Sequence, residues 1–85
     1  SRGALYFRSA AEKGVAVAQN RLARCYAHGA GVSADLGEAA KWHAIAKAGG
    51  VEDPALEQLL GKLSRSERQK AQTAAEAWLD KSKVQ

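Results

Sequence analysis

The sequence predicts an all-α fold, a short solenoid of helix-turn-helix units closed at its C-terminal end by capping helices. Three observations predict it. Apolar residues recur at helical spacing along most of the chain, and glycines stand where the periodic runs end. No run alternates Val, Ile or Thr as a strand does, and the alanine-rich, proline-poor composition favours helices that pack closely. The chain also matches itself at an offset of 36 residues, which sets Tyr6 on Trp42, Ala4 on Ala40, Ala10 on Ala46, Gly14 on Gly50 and Val15 on Val51. A shared period of this size is the signature of a stacked repeat.

Taken in order, residues 3–13 read as a helix that ends at Gly14, a residue suited to a left-handed helix cap. The next helix runs from about Val15 to His28. Its apolar members Ala18, Leu22, Cys25, Tyr26 and Gly29 cluster on one face. Arg21, Arg24 and His28 fall within a sector of about 60° beside that face and form a narrow cationic stripe. The turn HGAGVSAD follows, in which Gly29 and Gly31 supply backbone angles other residues resist and Val32 can plug the helix pair.

Asp35 opens the third helix, with Glu38 three residues on as in a capping box. Ala39, Trp42, Ala46 and Gly49 lie along one side of it and Leu36, Ala40 and His43 along another, as suits a helix sandwiched between neighbours. Gly49 and Gly50 stop it. Asp53 is then placed to cap a helix with Pro54 at its first position, and Leu56, Leu59, Leu60 and Leu63 give the strongest core stripe in the chain. Ser64 and Glu67 form a second capping-box pair for a last helix whose apolar face is Ala71, Ala74, Ala75, Trp78 and Leu79. That helix is expected to run to about Asp80, with residues 81–85 as a frayed tail.

The residues from 18 to 49 resemble the Sel-one-like repeat, a relative of the tetratricopeptide repeat. Ala18, Leu22, Tyr26, Gly29-Ala30-Gly31-Val32, Asp35, Ala39, Trp42, Ala46 and Gly49 stand at the spacing of that pattern. The match covers one full unit, residues 15–50, and residues 3–14 look like the second helix of the unit before. Ala23 stands where the family favours glycine, and residues 55–80 keep no repeat pattern, which fits a pair of capping helices over residues 53–80. The resemblance implies a right-handed, tetratricopeptide-like superhelix and a non-catalytic scaffold for a protein or peptide. In such stacks the first helix of each unit lines the concave surface, so by analogy Arg21, Arg24 and His28 would face an acidic or carboxylate-bearing partner. It also implies a bacterial protein of the periplasm or envelope. Some cysteine-rich relatives are associated with cell-wall or β-lactam hydrolysis. They carry a cysteine pair in each repeat, and this chain has Cys25 alone. A purely structural cap without a ligand surface is a further alternative.

Composition narrows the remaining classes. Eighty-five residues make one small domain of modest stability. The net charge of +4 is unevenly placed: residues 1–34 carry Arg2, Arg8, Lys13, Arg21 and Arg24 against Glu12 alone, while the rest of the chain balances eight basic with eight acidic side chains. A solvated helix surface is the plainer reading of this imbalance, and attraction of an anionic partner to the first half is the alternative. The arginine stripe is short and the aromatics are committed to packing, so nucleic-acid binding is not expected. No apolar run approaches the ~20 residues that span a bilayer, so neither is membrane insertion. The chain lacks an initiator Met and a signal-like stretch and reads as a processed protein or an excised piece.

No catalytic or cofactor site is expected either. Cys25 faces the core side of its helix and His28 the polar stripe, which makes the cysteine a small buried hydrophobe rather than an activated thiolate. A metal site would have only Cys25, His28 and His43 as soft ligands, with no carboxylate spaced to join them, so none is expected. His43 reads as a partly covered packing residue. The glycines of residues 28–31 lack the strand before and the Lys-Ser/Thr after that a phosphate loop requires.

Overall fold

The computed structural model describes residues 2–83. It holds five helices and, among the described residues, no strand: α1 (Arg2–Glu12), α2 (Ala16–His28), α3 (Leu36–Ala48), α4 (Pro54–Leu60) and α5 (Arg65–Lys83). The all-α expectation therefore holds. α3 is the centre of the packing. It lies on α2 on one side and on α5 on another, with α4 also against it, while α1 packs on α2.

That central place follows from the composition of α3. Ala39, Trp42, His43, Ile45 and Ala46 are all buried, so the helix hides more of its circumference than the two sides read from spacing. Ile45, which lay on neither side, is among the most completely buried side chains. The core continues through Ala18, Leu22, Ala23 and Tyr26 of α2, Leu56 and Leu60 of α4, and Ala71 and Ala75 of α5. Alanine dominates it, and alanine lets helix axes come close. Gly49 shows how close: a Cβ built there would stand 2.8 Å from the Cβ of Ala16 at the start of α2. Gly49→Ala should therefore push α2 and α3 apart and cost about 1–3 kcal/mol, as overpacking does, read as a lower urea midpoint.

The helix ends follow local chemistry. The Asp35 carboxylate accepts the Glu38 N–H at 3.0 Å, but only half of the expected capping box forms. The N–H of Asp35 donates to Tyr26 O at 2.9 Å instead, and the Glu38 carboxylate turns to Lys41, 3.8 Å away. At Ser64 the box is complete: Glu67 N–H reaches Ser64 Oγ at 3.1 Å, and Ser64 N–H reaches Glu67 Oε1 at 2.8 Å. α5 runs on to Lys83 rather than stopping near Asp80, because Lys81 and Lys83 complement the negative end of the helix dipole. Val84 and Gln85, the rest of the expected tail, lie outside the described residues. Ala74, expected on the inner face of α5, is exposed.

The offset of 36 residues reappears in the backbone. α1 and α3 end 36 residues apart, Gly14 and Gly50 both take φ +93°, and equivalent hydrogen bonds close the two ends. Val15 N–H donates to Ala10 O at 3.2 Å and Val51 N–H to Ala46 O at 3.0 Å. The side chains diverge. Trp42 is 4% exposed and meets Trp78 edge-on, ring centroids 5.6 Å apart, whereas Tyr6 is 71% exposed and touches Phe7. The cause is position: α3 has a helix on either side, and α1 packs mainly on one. Trp78 and Ala75 stand 36 residues after Trp42 and Ala39, a correspondence the spacing of residues 53–80 had not disclosed.

Candidate functional site

The stripe predicted on α2 is present, and its three members are exposed. They are not equivalent. Arg24 Nε donates to Asp53 Oδ2 at 2.6 Å, across to the residue that caps α4. Asn20 Nδ2 donates to the same oxygen at 2.9 Å, and Leu56 N–H donates to Oδ1 at 3.1 Å. Asp53 is buried, and its carboxylate takes all three donors. The hydrogen bond from Arg24 holds its carboxyl far below the usual carboxylate range against the opposing effect of burial, with Asn20, Leu56 N–H and the charge of Arg24 adding to it. The same contact raises the pKa of Arg24.

Arg24 therefore fastens α2 to the first turn of α4. The side chains of Arg21 and His28 make no hydrogen bond or ion pair with any described residue, so they are the members of the stripe left for a ligand. Between the two helices lies a groove of about 310 Å³, edged by Arg24, His28 and Asp53 and floored by Ala55, Leu56 and Leu59. Val17, one turn before Arg21 on the same stripe, is an exposed apolar residue. The face thus offers the unpaired side chains of Arg21 and His28, and His28 edges a trough with an apolar floor.

The repeat-signature residues fall into structural places. Ala18, Leu22, Tyr26, Ala39, Trp42 and Ala46 are buried, and Val32 is half-buried against the core. Gly29 caps α2 at φ +69°, where its N–H bonds Cys25 O; that left-handed backbone strains other residues. Gly31 also has positive φ, at +78°. Asp35 and Gly49 hold the two ends of α3.

Cys25 is half-buried rather than in the core. Ala23, two positions earlier, is fully buried instead, and Cys25 lies on the flank of that face. No hydrogen bond joins Cys25 to His28. His43 is more deeply buried than expected, at 6% exposure. Among the described residues no three His, Cys, Asp or Glu side chains gather as metal ligands, and no helix is long and apolar enough to cross a membrane.

Sequence reasoning found Asp53 as a cap and missed it as an anchor, and it missed Asn20 altogether. The only signal was the pairing of a polar Asn20 and a charged Arg24 one turn apart on a helix with a strongly apolar side. Comparison of the chain with models of known families, with curated proteins and with solved structures gives no match.

Proposed function

We propose that this chain is a non-catalytic binding scaffold, the C-terminal part of a Sel-one-like repeat array, and that α2 presents its exposed face to an acidic segment of a protein or peptide. The array reading is supported by the helix end repeated after 36 residues and by the recurrence of Ala-x-x-Trp at the same offset in α5, where Ala75 is buried and Trp78 half-buried. The observation that carries the binding reading is the pair of unpartnered side chains, the guanidinium of Arg21 and the ring of His28, on one face of α2, where His28 also edges the groove floored by Leu56 and Leu59. Carboxylates supply the matching charge, and the trough takes an apolar side chain next to them.

Affinity selection from a random peptide library on the immobilised chain tests this. Acidic sequences with at least one large apolar residue should be enriched. An Arg21→Glu, His28→Glu double variant should bind them at least about tenfold more weakly, a loss of about 1.4 kcal/mol, with an unchanged melting temperature because both side chains are free. Arg24→Glu is the wrong variant, since it would set a second carboxylate against Asp53. Enrichment of neutral or basic peptides, or affinity indifferent to the double variant, would refute the reading.

A further inference from the structure

α3, α4 and α5 enclose a second cleft, of about 170 Å³, away from the α2 face. Its floor is apolar: Ala44 of α3, Leu60 at the end of α4, Leu63 in the link that follows, and Ala71 of α5. Its mouth is charged. Lys47 Nζ lies 3.0 Å from Glu57 Oε1, so these two neutralise each other. The contact holds the Glu57 carboxyl below its ordinary value, with His43 adding to it. His43, buried on the α3 wall, sets Nε2 3.5 Å from the same oxygen, while its Nδ1 has no partner and is sealed from solvent. Gln72 gives its amide to Glu76 at 3.1 Å. The guanidinium of Arg68, alone among the charged groups on this rim, has no hydrogen bond and no ion pair with a described residue.

Of the charges of Lys47, Glu57 and Arg68 at the mouth, the first two cancel and one positive group is left in excess, a guanidinium. A guanidinium offers a planar fork that matches a carboxylate with two parallel hydrogen bonds. The volume is comparable to the ~150 Å³ apolar cavities that accept benzene. An apolar floor, one excess cation and this size together describe a pocket for a molecule with one charge and a compact hydrophobic body.

We propose that the α3–α4–α5 cleft binds a small monocarboxylate of about benzoate size, with its carboxylate on Arg68 and its body against Leu60, Leu63 and Ala71. The site does not depend on the peptide reading, and its occupant touches none of the α2 stripe.

Titration of the ¹⁵N-labelled chain with sodium benzoate at pH 7.5 and constant ionic strength tests it. Saturable amide shifts should gather at Ala44, Leu60, Leu63 and Ala71, with movement of the His43 ring signals. Benzyl alcohol, of the same shape without the charge, should bind about tenfold more weakly. Arg68→Gln should weaken benzoate by a similar factor, since a hydrogen-bonded charge is lost from the contact, and its spectrum should otherwise be unchanged because Arg68 is exposed. Non-saturating shifts, shifts centred on Arg21 and His28, equal binding of benzyl alcohol, or indifference to Arg68→Gln would each overturn the proposal.

Discussion

Replacing Trp42 with alanine should cost about 3–5 kcal/mol, the usual penalty for emptying a buried aromatic site. Trp42 is 4% exposed on the central helix, and Trp78 of α5 rests edge-on against it at 67° between ring planes. Removing the indole thus takes away the surface on which α5 docks, as well as its own burial. A domain of this size has a stability of roughly 4–13 kcal/mol at the usual value per residue, so the variant stands close to unfolding at ambient temperature. The informative control is Tyr6, which occupies the same place in the 36-residue register and is 71% exposed. Tyr6→Ala should shift stability by no more than about 0.5 kcal/mol. Urea midpoints for the two variants measure the contrast. Equal losses, or a Trp42→Ala chain with near-native stability, would contradict the packing described for α3.

The second large effect is expected at Asp53. Asp53→Ala removes a helix cap, worth about 1 kcal/mol, and strands the buried amide of Asn20, worth about 1–3 kcal/mol more. Arg24 is 48% exposed in its side chain and can return to water, so breaking its ion pair adds little. The total, about 2–4 kcal/mol, should appear in urea unfolding. Asp53 also has a signature in acid. Its carboxyl in the folded chain titrates far below the value of an unfolded aspartate, ~3.9. The folded form thus binds the proton more weakly, and the contribution of Asp53 is complete above about pH 5. It declines as pH falls through the ordinary carboxylate range and goes on declining below pH ~2. In Asp53→Asn this part of the acid slope should vanish, leaving a flatter profile of urea midpoint between pH ~2 and pH ~5. An unchanged slope would mean that the carboxylate is not held as the geometry describes.

Much of the helical plan was legible because its signals are local. Gly14, the Gly49-Gly50 pair, Asp53-Pro54 and the Ser64–Glu67 box each act within a turn of where they stand, and the helices start or stop there. What escaped was set by how the helices lie on one another. Arg24 and Asp53 are 29 residues apart, so the stripe could be seen while the commitment of its middle member could not. Cys25 and Ala23 differ by two positions, and which of them meets the neighbouring helix is decided by the rotation of α2, a quantity that periodicity leaves loose by a sector or so. Ile45 was passed over because its side of α3 gains cover only from tertiary packing.

The anchor at Asp53 has one more consequence, for how the molecule opens. α4 is the shortest helix, seven residues, and too short to persist without its neighbours. Its first turn is knotted to α2 through Asn20 and Arg24, one turn apart on that helix. Slow amide exchange in α4 and in the middle of α2 is thus lost together when either breathes, and whatever steadies one lengthens the closed lifetime of the other.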